Sequence, residues 1–212
     1  MKRAKDRIPE IIKILRKTYP EARTALKFHS PFELLVSTIL SAQCTDERVN
    51  KITPGLFKKY RGPRGFAGAS RASLEKDVRS AGFYRNKAKN IIAVSKKIRD
   101  EFKGRVPDSM DELLRLPGVA RKTANIVLSA SFGKAEGIAV DTHVKRLSGR
   151  LGFSGEKDPN KIEKDLMAAV PKKDWLDFNY ILVNHGRAVC TARKALCDEC
   201  PIRRLCPSAG KV

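Results

Sequence analysis

The sequence is poor in the features that would place a protein in a membrane or outside the cell. No apolar run approaches the roughly twenty residues needed to span a bilayer. The opening MKRAKDRIPE lacks the apolar core of a signal peptide. Acidic residues are scarce: 23 Asp and Glu stand against 44 Lys and Arg in 212 residues, a formal charge of +21. That imbalance implies a polyanionic partner, with DNA, RNA and anionic membrane all admissible. Strand-like alternation, low-complexity tracts and fixed-period repeats are missing, which argues against sheet-built and solenoid classes. Cysteine is also sparse, and four of the five lie within residues 190–206. Such clustering does not suit a secreted disulfide framework and suggests a metal. The expectation is a soluble, intracellular protein, with enough chain for one domain or two small ones.

What is present is helical patterning. Ile8, Ile11, Ile12, Leu15 and Tyr19 repeat at helical spacing, and Pro20 stops that helix. Ser30, Pro31 and Glu33 read as a strong helix start, with N-cap serine, proline at the first position and glutamate placed for a capping box. The helix they open is apolar on most sides and ends in Ser41-Ala42-Gln43-Cys44-Thr45-Asp46. Residues 46–60 read as helix bent or broken at Pro54-Gly55, and residues 61–70 (RGPRGFAGAS) as a Gly/Pro-rich loop. Gly82-Phe83-Tyr84-Arg85-Asn86-Lys87 leads into a basic amphipathic helix over 86–102, whose lysines at 87, 89, 96 and 97 read as a solvated face. Asp158-Pro159 opens another helix, closed by Pro171. A last one carries Trp175, Phe178, Ile181 and Leu182 and is expected to end at Gly186.

Residues 116–147 carry the chemistry. Leu116-Pro117-Gly118 cannot continue a helix, and a new one follows over 120–132. A short turn running into a helix leaves backbone N–H groups pointing outward, a ready phosphate site. Lys122 stands in the first turn, where the helix dipole and Arg121 should lower its pKa and favour a nucleophilic amine. Asp141, in Val140-Asp141-Thr142-His143, holds the N-cap position of the next helix. From spacing alone a solvated lysine and a merely capping aspartate are the simpler reading. Cys190, Cys197, Cys200 and Cys206, spaced C-x6-C-x2-C-x5-C, suit either tetrahedral zinc or an iron–sulfur cluster, and spacing does not decide between them.

Taken together these segments resemble the helix-hairpin-helix DNA glycosylases, and in particular the endonuclease III family of base-excision repair. The resemblance covers nearly the whole chain, with hairpin, aspartate, glutamine and cysteine box in the family's order. Two positions depart from the usual pattern. Ala120 stands where glycine is common, which requires a negative φ there, and Phe83 stands where better-known members carry leucine.

The resemblance implies an all-α fold in two lobes: a helical bundle with the hairpin over residues 24–135, and a discontinuous lobe of 1–23 and 136–212 holding a cluster loop at 190–206. It implies a bifunctional glycosylase and AP lyase that removes oxidised pyrimidines from duplex DNA and cleaves 3′ to the abasic site by β-elimination through a lysine Schiff base. Lys122 and Asp141 would be catalytic. Gln43 would fill the gap left by an extruded nucleotide, and Phe83 would wedge into the stack. The amides of Gly118 and Ala120 would hold a phosphate. Cys190, Cys197, Cys200 and Cys206 would bind a [4Fe–4S] cluster, beside which Arg193 and Lys194 would reach phosphates or offset the cluster's charge. The expected partner is double-stranded DNA with damaged bases or abasic sites, met by a monomer, with no membrane involved. Taken as residues, Gln43 also reads as an ordinary helix-end polar group and Phe83 as a core aromatic. Two alternatives remain: a mismatch glycosylase acting on adenine or thymine, against which Lys122 argues, and a non-catalytic iron–sulfur DNA-binding module.

Overall fold

The computed structural model describes residues 3–212; Met1 and Lys2, on which the reading of the opening segment partly rests, lie outside the described residues. In chain order the α-helices are α1 (Ala4–Thr18), α2 (Pro31–Leu40), α3 (Asp46–Lys59), α4 (Gly62–Ala67), α5 (Arg71–Asp77) and α6 (Tyr84–Glu101). They continue with α7 (Met110–Leu114), α8 (Arg121–Phe132), α9 (Thr142–Leu151), α10 (Pro159–Ala169) and α11 (Trp175–Ala188). Among the described residues there is no β-sheet, only an isolated bridge between Cys190 and Ala195. The all-α expectation is borne out. No described helix is long and apolar enough to cross a membrane. The chain divides into two compact units, Thr24–Phe132 and Met1–Arg23 with Gly133–Val212.

The first unit, α2 to α8, is built on an apolar core that includes Leu34, Leu35, Phe66, Leu74, Ile91, Ile98, Leu113 and Leu128. The start of α2 shows how local sequence sets the geometry. Ser30 Oγ accepts from the Glu33 amide at 3.2 Å, and Pro31 occupies the first turn, where its missing N–H costs nothing. Glu33 reaches one residue further back than a capping box requires, accepting from the His29 amide at 2.7 Å.

Two expectations for this unit are corrected. α3, expected to be bent or broken at Pro54-Gly55, is not broken there and runs to Lys59. Proline removes one backbone bond, but Val49, Thr53 and Leu56 bury a face of the helix across that point, and packing outweighs the loss. Residues 61–70 are not a plain loop, because α4 forms there to deliver Phe66 to the core. The Phe66 ring centroid lies 5.2 Å from that of Tyr60 and 5.5 Å from that of Phe32. Full burial of such a side chain contributes about 2–3 kcal/mol, enough to fold a six-residue helix out of a Gly/Pro-rich segment.

The second unit packs α1 with α9, α10 and α11. Ile8, Ile11, Ile12 and Leu15 form the buried stripe of α1, meeting Leu147, Phe178 and Leu182 in one core. Arg16 ties α1 to the start of α11: its guanidinium donates to Asp174 Oδ1 at 2.6 Å and to both Asp177 oxygens at 2.6 and 2.7 Å. Buried Arg7 donates to the Leu151 carbonyl at 3.0 Å and to the Leu205 carbonyl at 2.5 Å, joining the end of α9 to the cysteine loop. α10 starts as expected, with Asp158 accepting from the amides of Asn160 and Lys161. Gly186, in contrast, does not end α11, which continues to Ala188. It serves as a close-contact residue: a Cβ there would lie 2.8 Å from His143 Nδ1 and 3.0 Å from Arg146 Nη2. The absent side chain lets α9 approach α11.

Candidate functional site

In the first unit, α7 and α8 are joined by a tight turn. The Val119 amide donates to the Leu116 carbonyl at 3.2 Å, and Gly118 takes φ +75°. Glycine is required there twice over, since a Cβ would also meet Asn90 Nδ2 of α6 at 2.7 Å. Ala120 is not among the residues with positive φ, so its methyl group is accommodated, as the departure from glycine demands. Exposed Lys122 follows as the second residue of α8, while Ala124, Val127 and Leu128 anchor the opposite face in the core. The hairpin thus presents exposed Gly118, Ala120 and Lys122 on a base anchored in the core.

Three of the residues singled out from sequence share one cavity of this unit. Gln43, Phe83 and Gly118 line it, together with Ile39, Lys87 and Thr123 among others. Gln43 (φ 53°) and Phe83 (φ 46°) are two of the three non-glycine residues with positive φ among those described. For a side chain as bulky as Phe83 that conformation is strained, and strain of this kind gathers at functional sites. Phe83 is 66% exposed, so it is not a core aromatic.

Lys87 corrects another expectation. It is 4% exposed rather than part of a solvated face, and its Nζ donates to the carbonyls of Leu40 and Ala81, both at 2.8 Å. The signal for this was legible in the register, because Lys87 shares the stripe of α6 that carries Ile91, Val94 and Ile98.

In the second unit, Asp141 caps α9, its Oδ1 accepting from the Val144 amide at 2.8 Å. The side chain is half-buried, leaving part of its surface open. Burial lowers the pKa of neighbouring His143, opposed by the charge of Asp141 and reinforced by Arg146 and Arg187.

Beyond α11, Cys190, Cys197, Cys200 and Cys206 all line one cavity, walled by Leu147, Leu151 and Ile202, and none is in a disulfide. Among the described residues no group of three or more His, Cys, Asp or Glu is disposed to hold a metal ion; the thiols surround a space instead. Burial raises the pKa of Cys200 and Cys206, and the other thiols add to the rise, so four thiolates in this loop call for a cationic group among them. Basic side chains gather round the loop. Arg150 donates to Cys190 Sγ at 3.2 Å and the Thr191 carbonyl at 2.7 Å, and Arg146 to the Cys190 carbonyl at 2.9 Å. The donor set fits a thiolate-bound cluster. Arg193 and Lys194 are exposed on a turn held by Thr191, whose Oγ1 donates to the Lys194 carbonyl at 2.6 Å. The contributions of Arg146 and Arg150 escaped the sequence reading, because nothing in their spacing marks them off from other surface arginines.

A hairpin-borne lysine, a helix-capping aspartate and a four-cysteine loop in an all-α chain define a class. Residues 36–172 match the model of the HhH-GPD superfamily of base excision DNA repair proteins, and the chain belongs to that superfamily. Its relatives narrow the comparison. Endonuclease III of Synechocystis sp. is 56% identical over 205 residues, covering 97% of this chain and 94% of the relative. Endonuclease III of Bacillus subtilis is 47% identical over 194 residues, 91% of this chain and 88% of the relative. Among solved structures, a trapped endonuclease III–DNA covalent intermediate in an estranged-adenine complex superposes with a TM-score of 0.92 at 43% identity, over 99% of this chain and 98% of that one. The two-lobed helix-hairpin-helix glycosylase fold expected from the motifs is therefore the fold of this chain.

Proposed function

We infer that Lys122 and Asp141 carry the reaction of an enzyme whose activity is that of a DNA glycosylase and AP lyase of the endonuclease III type. The observation that carries the assignment of Lys122 is its place in the hairpin: exposed, in the first turn of α8, directly after the Gly118 turn. A covalent enzyme–DNA intermediate, as trapped in the similar structure, needs a nucleophile of this kind.

A base stacked in a duplex cannot be attacked at its sugar, so the nucleotide must first rotate out. The amides beyond Gly118 hold a phosphate, Phe83 wedges into the stack, and Gln43, able both to donate and to accept, fills the gap. The neutral amine of Lys122 then attacks C1′ of the deoxyribose. The C1′–N bond to the base breaks and the base leaves with the bonding pair. Ring opening yields a C1′ Schiff base; loss of a C2′ proton expels the 3′ phosphate and cleaves the strand. Asp141 stabilises the positive charge developing on the sugar and assists proton transfer at the lysine.

The substrate we assign is duplex DNA bearing oxidised pyrimidines or abasic sites, met by a monomer on the nucleoid. Cys190, Cys197, Cys200 and Cys206 would hold a [4Fe–4S] cluster, whose part is to order the loop rather than to react. Exposed Arg193 and Lys194 stand on that loop for phosphate contact.

Borohydride trapping on a duplex with one oxidised pyrimidine tests the central step. Wild type should give a covalent adduct and Lys122→Gln none, while DNA binding persists in both. An adduct formed by pure Lys122→Gln protein would remove Lys122 from the mechanism.

A further inference from the structure

Lys87 has no part in the reaction above, yet its placement is costly. Burial pushes the ammonium's pKa down, and a buried charge survives only where polar partners offset the loss of water. Here the partners are backbone carbonyls at two helix ends. Leu40 is the last residue of α2, and Ala81 the last of the 3-10 turn Arg79–Ala81; Lys87 Nζ donates to both at 2.8 Å. Helix C-termini present unpaired carbonyls and a negative dipole end, so one cation serves both.

Just beyond each tied carbonyl the backbone turns left-handed, at Gln43 (φ 53°) and at Phe83 (φ 46°). Phe83 is the N-cap of α6 and makes no side-chain capping hydrogen bond that would offset that conformation. The two hydrogen bonds of Lys87 join the backbone leading into both segments, at Leu40 and at Ala81. An apolar side chain of equal volume could fill the space, but could not hold two carbonyls at a set distance.

We propose that Lys87 is a positioning residue for nucleotide extrusion, setting the spacing at which Gln43 and Phe83 enter the duplex together. The proposal rests on the reading of those two residues as gap filler and wedge. It predicts a split between two reactions of the same protein. Release of an oxidised pyrimidine requires a paired, stacked base to be extruded. Trapping on a preformed abasic site requires no base to be moved, but does require Lys122 and the hairpin.

The variants are Lys87→Met, which removes the charge and both donors, and Lys87→Gln, which keeps an N–H donor one atom short of the ammonium's reach. In single-turnover assays, base release by Lys87→Met should fall roughly tenfold to a hundredfold, the scale of a small misplacement of reacting parts. Borohydride trapping on the abasic duplex should change little, and Lys87→Gln should lie between Lys87→Met and wild type. A 2-aminopurine opposite the lesion should lose its binding-dependent fluorescence rise in parallel with base release. Equal loss of both reactions, or failure of both variants to fold, would make Lys87 a stability element and overturn the proposal. Phe83→Ala run alongside separates the two levels. Slow base release in Phe83→Ala with wild-type rates in the Lys87 variants sinks only the positioning role. Wild-type rates in Phe83→Ala sink the wedge reading itself.

Discussion

Asp141 performs two tasks that a single substitution can separate. Its Oδ1 caps α9 through the Val144 amide at 2.8 Å, and its charge is assigned to the developing cation on the sugar. Asparagine caps a helix about as well as aspartate, whereas alanine forfeits about 1 kcal/mol. Asp141→Asn should therefore unfold in denaturant close to wild type while its single-turnover rate falls by roughly 10²–10³, the usual worth of one electrostatic contact to a transition state. Asp141→Ala should lose both activity and about 1 kcal/mol of stability. Wild-type turnover in Asp141→Asn would reduce the residue to a cap. Phe83 poses the complementary case: it is strained and exposed, so the wedge role proposed for it can be tested with little cost to the core.

At the scale of elements, the approach of α9 to α11 depends on a missing side chain. Gly186→Ala places a Cβ 2.8 Å from His143 Nδ1 and 3.0 Å from Arg146 Nη2, the guanidinium that also holds the Cys190 carbonyl. Alanine gains about 1 kcal/mol in helix propensity, but overpacking costs typically 1–3 kcal/mol. The net effect should be a loss of up to about 2 kcal/mol in a urea titration, and a cysteine loop more open to a thiol reagent. A more stable Gly186→Ala would show that the helices have room to part. This residue also shows where reading the sequence stops. Glycine punctuates a helix in sequence, but whether it ends one or admits a neighbour depends on a partner forty residues away. The same holds for residues 61–70, where Phe66 was visible but its aromatic neighbours were not. Local signals were sufficient where the cause is local: the Ser30 and Asp158 caps, the Gly118 turn, the stripe of α1. The cavity shared by Gln43, Phe83 and Gly118 was legible only as three separate motifs, because α6 brings them together through Lys87 and Asn90.

For the whole molecule the dominant quantity is charge. A formal +21 on 212 residues is far more than folding needs, since like charges on one compact chain repel. The excess is useful only against a polyanion, where each lysine or arginine on a phosphate releases counterions, and log K for B-DNA falls against log salt with a slope of about −0.9 per contact. Binding to undamaged duplex should accordingly weaken steeply and linearly on that scale. The same measurement decides the role of Arg193 and Lys194. They are exposed on the cysteine loop, where two uses compete: contact with phosphate, or compensation of the anionic cluster proposed for that loop. If they touch phosphates, replacing both by alanine should make the slope shallower by about 1–2 with no change in cluster absorbance. If they compensate the cluster, the slope should stay that of wild type while the iron–sulfur absorbance bleaches faster in air. Arg150 already lies 3.2 Å from Cys190 Sγ, and Arg146 holds the Cys190 carbonyl at 2.9 Å, so the thiols have cations of their own. That leaves the outer pair for the duplex, and the shallower slope is the outcome we expect.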